Sequence, residues 1–344
     1  MLVKVKLDTA LTRGVEYAAK SKGGFCFQKI STCIKCEVRR KPLRAEQSMN
    51  NHPIILAHGI ARFDFLLANF IKQLGPLGPF VEVATDGLHY FKGIARHLRR
   101  NGFDVSHSSV SFAADLPRRA ADLKEEVNRV LQLKDGSKAH IIGHSMGGLD
   151  SRYMIANLGM AEKVASLTTI GTPHLGSSLG DWGLEHRGDK LIQSLKSVID
   201  LDGFLSLPTA ACREFNDSVL EAEAANQVYY QTYASAQPQK RVFTPLQKTW
   251  EIIEQAEGEN DGLVSRTSQR WIPELVAAGG QRKEVHQHDF PVPADHLNEC
   301  GWWDIHELDL ANTPLLQLAQ SVTQYESSIK DVYLKIARDV AALP

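Results

Sequence analysis

Ala139-His140-Ile141-Ile142-Gly143-His144-Ser145-Met146-Gly147-Gly148 runs from a short apolar stretch straight into a serine flanked by glycines. Gly143 to Gly147 fits G-x-S-x-G, the nucleophile elbow, in which serine stands on a sharp strand-to-helix turn. Such a turn has no space for side chains two residues from the serine on either side, so glycine is needed there. The turn also aims the N-terminus of the next helix at a developing oxyanion. By chance alone the pentapeptide arises in many chains. Here an apolar strand precedes it and a helical stretch through Ile155 follows, which is the context the chemistry demands.

Outward from the elbow the same pattern repeats. Pro53 to Ala57 is an apolar run stopped by His58-Gly59, and Phe103 to Val110 follows Asn101-Gly102. Val164 to Ile170 ends at Gly171-Thr172-Pro173, and Tyr229 to Ala234 reads as a further strand. Continuous apolar strands, as opposed to alternating ones, are what a parallel sheet buried on both faces requires. Leu116, Ala120, Leu123, Val127 and Val130 recur at helical spacing, opened by Asp115 and by Pro117 in the first turn. Leu315 to Val322 reads as a late helix. The expected fold is α/β, a mostly parallel sheet with helices on both faces.

The 344 residues suit one such domain with additions: a basic N-terminal extension over 1–50, the main domain over 51–322 and a C-terminal helix over 323–344. A net charge of −1 argues against nucleic acid, which needs a basic surface. Charge is uneven, however. Residues 1–50 hold eleven Lys/Arg against four Asp/Glu, a balance of +7 that leaves −8 on the rest. That leader has no apolar h-region, so no secretory signal is expected and a cytoplasmic location is the default. A transit peptide is the main rival. No run approaches the roughly 20 apolar residues of a spanning helix. Cys33 and Cys36, with Cys26 nearby, lack a fourth ligand at zinc spacing, so no metal is expected there. Cys212 and Cys300 remain as a possible disulfide pair.

A nucleophilic serine needs a base and a carboxylate to orient it, here in the order Ser, Asp or Glu, His. Four histidines lie well downstream: His286, His288, His296 and His306. His296 sits in the loop-like Pro293-Ala294-Asp295-His296-Leu297, whereas His286 and His288 share one face of an extended stretch and His306 begins a helix. His296 is the favoured base. Asp261, in the turn-forming Glu259-Asn260-Asp261-Gly262, is the favoured acid, with Asp289 and Asp295 as rivals. The oxyanion hole should use the backbone N–H of Met146, after the nucleophile, and that of Ile60 in the loop after the first strand.

With Ala57-His58-Gly59-Ile60, Phe63-Asp64, His89-Tyr90-Phe91-Lys92-Gly93-Ile94 and the elbow in place, the chain resembles the bacterial family I triacylglycerol lipases. The likeness continues through Arg152-Tyr153, Ala165-Ser166, Gly171 to Ser177, Asn260 to Val264 and His296-Leu297-Asn298, covering about residues 52 to 320. It implies the α/β-hydrolase fold, lipid-ester hydrolysis and the triad Ser145, Asp261 and His296. Lipases of this kind also hold a structural calcium through two aspartates, one of them two residues after the base. Here Asn298 stands there, and residues 231–250 contain no aspartate for the other. The usual calcium site is therefore expected to be absent, with no other cofactor required.

The resemblance also implies a helical lid, over about 178–214. Leu191, Leu195 and Val198 fall at helical spacing within it, and Phe204 and Leu205 could extend an acyl-binding wall. An ordinary core-packing helix gives the same stripe. The expected partner is a lipid or ester, met at an oil–water interface where a lid would open. A short-chain carboxylesterase, an acyltransferase or inositol-deacylase relative, and a non-catalytic binding protein on the same scaffold are the competing readings.

Overall fold

Alternate residues of β1 (Ile54–Ala57) feed two separate apolar layers: Ile54 and Leu56 enter one, Ile55 and Ala57 the other. The same division runs through β3 (Ala139–His144), where Ile142 joins the first layer and Ile141 the second. A strand that is apolar on both faces must be covered on both. The computed structural model describes residues 52–59, 90–110, 114–186, 208–303 and 315–344, all within one unit spanning Gln47–Pro344.

Seven strands form one sheet in the order β2-β1-β3-β4-β5-β7-β6. The others are β2 (Val105–His107), β4 (Val164–Ile170), β5 (Tyr229–Ala234), β6 (Glu274–Val276) and β7 (Arg282–Asp289). All neighbours pair in parallel except β6, which returns antiparallel to β7 at the edge. The first layer is closed by α1 (Ile94–Arg100), α6 (Gln247–Glu257) and α8 (Leu315–Ala341), through Leu98, Ile253, Ile329 and Tyr333. On the opposite face α2 (Leu116–Leu133), α3 (Met146–Asn157) and α5 (Thr209–Ala225) contribute Leu123, Val127, Met154, Ile155 and Ala224. Two short α-helices, α4 (Ser178–Glu185) and α7 (Arg266–Arg270), and four 3-10 turns complete the described elements. This is the α/β arrangement the sequence predicts.

Local signals place the elements well. The Asp115 side chain accepts from the Arg118 N–H at 3.1 Å and caps α2, with Pro117 in its first turn. Three expectations need correction. The stretch Phe103 to Val110 supplies only three strand residues, because β2 lies at the sheet edge and pairs with β1 alone. A boundary between 322 and 323 does not exist, since α8 runs unbroken for 27 residues across it. Cys212 and Cys300 are not paired; each is buried as a free thiol. Leader residues 1–50 and the lid residues Leu191, Leu195, Val198, Phe204 and Leu205 lie outside the described residues, as do Ile60 and His306. The two described ends of the proposed lid segment belong to the core, with Leu179 of α4 and Cys212 of α5 fully buried. No helix among the described residues is long and apolar enough to cross a membrane.

Candidate active site

The parallel strands β1, β3, β4 and β5 all point their C-terminal ends the same way, and open α/β sheets bind their ligands beyond that edge. Ser145 stands there, between the last residue of β3 and the first of α3. Its backbone is at φ 56°, ψ −130°, a conformation that L-residues adopt at a cost. Main-chain bonds hold it in place: its N–H donates to the Ile170 carbonyl at 2.9 Å, and its own carbonyl accepts from Thr172 Oγ1 at 2.9 Å. A Cβ on Gly147 would lie 2.2 Å from the Ala57 carbonyl oxygen, and one on Gly143 would lie 2.8 Å from the Gly147 oxygen. Backbone crowds both sites, which is why the turn tolerates only glycine there.

Gly59 approaches Ser145 from β1. A Cβ there would meet Ser145 Cβ at 2.7 Å and the Tyr90 hydroxyl at 2.6 Å. The loop just after β1 is thus pressed against the serine, the place an oxyanion donor must come from. Its fixed points are described up to Gly59. His58 Nδ1 bonds the Gly59 carbonyl at 2.8 Å, and its Nε2 accepts from the Val110 N–H at 3.3 Å. An acceptor at Nε2 places the proton on Nδ1, and burial keeps the ring neutral by lowering its pKa to about 4. From α2, Arg119 donates to the His58 carbonyl at 3.4 Å and grips Asp150 of α3 at 2.7 Å. Burial raises the Asp150 carboxyl to about 6 against the pull of Arg119. The other proposed donor, the N–H of Met146, opens α3 directly after the serine.

Asp261 and His296 come together from loops 35 residues apart. His296 Nδ1 lies 2.8 Å from Asp261 Oδ2, and the His296 N–H donates to the Asp261 carbonyl at 2.9 Å. A carboxylate only accepts, so Nδ1 carries the proton and Nε2 is left as the basic nitrogen. The Asn-Asp-Gly turn orients the acid: Asp261 Oδ1 accepts from the N–H groups of Leu263 and Val264, each at 2.8 Å. Gln269 of α7 donates to Oδ2 at 3.0 Å. Both residues of the pair are buried.

The rivals fall elsewhere. Asp289 is exposed and paired with Arg266 and Arg270. His286 and His288 stand on β7, stacked on Tyr229 and Tyr233. Asp295 is fully buried beside His296, yet its oxygens accept backbone N–H groups.

A second layer behind the pair was invisible in the sequence. His144 packs its ring 4.6 Å from that of His296 and joins two partners, with Nδ1 2.7 Å from the Tyr90 hydroxyl and Nε2 3.0 Å from Glu299 Oε2. Burial, then the charges of Asp261 and Asp295, raise the Glu299 carboxyl well above its ordinary value. Burial likewise lowers His144. Burial thus favours the uncharged form of each partner, the acid and the imidazole. His144, His296 and Glu299 together could hold a metal ion, but both His144 nitrogens and His296 Nδ1 already have partners.

A pH dependence follows from Glu299. Between the ordinary carboxyl value of 4.5 and its raised value in the fold, the native protein keeps a proton that the unfolded chain has lost. The contribution of Glu299 to stability therefore falls as pH rises across that window. Glu299→Gln, which keeps a polar amide against His144, should flatten the fall. Melting temperatures from about pH 5 to about pH 9 should diverge in favour of the variant; parallel curves would show that Glu299 is ionised in the fold.

Residues 52–185 match the family model described as the alpha/beta hydrolase fold. Triacylglycerol lipase 2 of Saccharomyces cerevisiae is 30% identical over 322 residues, covering 84% of this chain and 91% of its own. The triacylglycerol lipase of Vibrio cholerae is 29% identical over 259 residues, 64% of this chain and 74% of its own. Among solved structures, a metagenomic carboxyl esterase superposes with a TM-score of 0.56 at 17% identity, covering 88% of this chain and 79% of its own. A Bacillus licheniformis lipase in its mature form gives 0.51 at 20% identity, over 72% and 85%. At these identities the structural likenesses speak for the fold alone.

Proposed function

Because the chain belongs to the α/β-hydrolase lipase family and is a carboxylic ester hydrolase, we propose that it cleaves lipid esters through an acyl-enzyme on Ser145. The observation that carries this reading is the elbow: a serine at positive φ beyond the sheet edge, with a carboxylate-oriented imidazole in the loop that follows β7.

In the proposed mechanism His296 Nε2 takes the proton of Ser145 as Oγ attacks the ester carbonyl. The N–H groups of Met146 and Ile60 stabilise the oxyanion, a contribution typically worth about 10²–10³ in rate for each donor. His296 then gives its proton to the leaving alcohol. Water, deprotonated by the same nitrogen, attacks the acyl-enzyme and frees the acid and Ser145. The segment around Leu191, Leu195, Val198, Phe204 and Leu205 is assigned to cover the site in water and to bind acyl chains at a lipid surface. No cofactor enters any step.

A series of p-nitrophenyl esters from short to long acyl chains tests the substrate class. Turnover should rise towards the long chains, with a further rise once the substrate forms an interface. Activity confined to short, dissolved esters would make the protein a carboxylesterase and remove the case for a lid.

A further inference from the structure

The His296 loop is fastened on both sides of the histidine. Asp295 Oδ1 accepts from the N–H groups of Leu297 and Asn298, at 2.9 and 2.8 Å, and Oδ2 accepts from the Phe243 N–H at 2.6 Å. Two residues past the base, Asn298 Oδ1 accepts from the Asp295 N–H at 2.9 Å and from Gln237 Nε2 at 3.4 Å. Asn298 Nδ2 donates to the Trp302 carbonyl at 2.9 Å. The Gln237 N–H in turn donates to the carbonyl of Asn260, the neighbour of Asp261, at 3.1 Å. Residues 237–243 are thereby joined to the loop of the base and to the loop of the acid.

This is where the lipase resemblance implies calcium, and the donor set does not fit it. Calcium takes about six to eight oxygens, carboxylates commonly among them. Asn298 Oδ1 already faces two N–H donors, and both Asp295 oxygens face backbone N–H groups. Gln237 Oε1 is buried without a hydrogen-bond partner, but one neutral oxygen is far short of a calcium shell. Among the described residues the only grouping of three candidate metal ligands is the one around His296 itself.

We propose that Asp295, Asn298 and Gln237, with the Phe243 amide, form a metal-free clasp that holds His296 in register with Asp261, the work a calcium cross-link would do. The proposal rests on His296 being the base. These are positioning residues, acting through the imidazole. Bonds from N–H to a buried carboxylate are the strong members and the long Gln237 contact the weak one, so Asp295 and Asn298 should matter more than Gln237.

The test uses the full chain. Wild-type kcat and melting temperature should be the same in EDTA and in added calcium. Asn298→Ala should lower kcat by about 10- to 100-fold, the usual cost of losing an orienting partner, with KM nearly unchanged. Gln237→Ala, which removes only the weak contact, should show the same signs in smaller measure if Asn298→Ala does not fold. Activity lost in EDTA and restored by calcium would overturn the clasp. So would an Asn298→Ala enzyme that melts earlier but keeps kcat. Labelling of wild-type Ser145 by a fluorophosphonate separates the two readings: if it labels and needs calcium, only the clasp fails, and if it neither labels nor hydrolyses esters, the assignment of Ser145 falls and the clasp with it.

Discussion

Ser145→Ala is expected to lose ester hydrolysis by a factor of about 10⁴ to 10⁶ while the fold stays intact. The substitution removes one oxygen and leaves every main-chain bond that positions the residue, from the N–H on Ile170 to the carbonyl on Thr172 and Gly148. Alanine bears the positive φ of 56° no worse than serine does, so the strain at the elbow is unchanged. Thermal stability should hold or rise slightly, as is common when a group placed for reactivity and not for packing is removed. Some residual rate over water should survive, since oxyanion donors and substrate binding remain. Both properties need measuring on the same preparation. Ester turnover within tenfold of wild type would remove Ser145 as the nucleophile, and a collapsed melting temperature would show that the elbow depends on the hydroxyl.

What the sequence disclosed and what it hid follow from how local each signal is. The strand before Ser145, the glycines around it and the helix after it lie within about twenty consecutive residues, and each constrains the next through backbone geometry. Asp261 and His296 were reachable because their order along the chain is set by the chemistry, and their surroundings read as turn and loop. They lie 2.8 Å apart in the fold. Nothing comparable pointed to Glu299. Its partner His144 arrives from 155 residues away, itself held by Tyr90 from farther still, and a glutamate three positions after a histidine is an ordinary surface pattern until burial is known. The buried pairs Arg119–Asp150 and Arg152–Glu223 were hidden for the same reason: a charged residue on a helix reads as solvent-facing, and only tertiary packing shows the opposite. The free thiols of Cys212 and Cys300 teach it from the other side, since two leftover cysteines carry no information about distance.

Asp261→Asn separates orientation from folding most cleanly, and is expected to lower kcat by about 10⁴-fold with the structure preserved. The carboxylate does two jobs with two oxygens. Oδ1 accepts the Leu263 and Val264 N–H groups and shapes the turn, a task the amide oxygen of asparagine performs equally well. Oδ2 accepts from His296 Nδ1, and there the asparagine NH₂ can only donate. The imidazole must then present an unprotonated Nδ1 to it, which moves the ring proton to Nε2, the nitrogen that takes the proton of Ser145 in the proposed mechanism. Gln269, whose Nε2 donates to Oδ2 in the wild type, would also face the new NH₂ group and must rotate its amide to suit it. A modest loss of stability is therefore expected beside the large loss of rate. In the proposed mechanism Asp261 also supports the positive charge that forms on His296, so the variant should recover rate as pH rises and hydroxide takes over part of the base's work. Single-turnover acylation, read as fluorophosphonate labelling of Ser145, should slow with kcat while KM stays close to wild type. A variant that keeps kcat would mean that a different carboxylate orients His296. Glu299, with Oε2 3.9 Å from His296 Nδ1, is then the group to examine, through Asp261→Asn combined with Glu299→Gln.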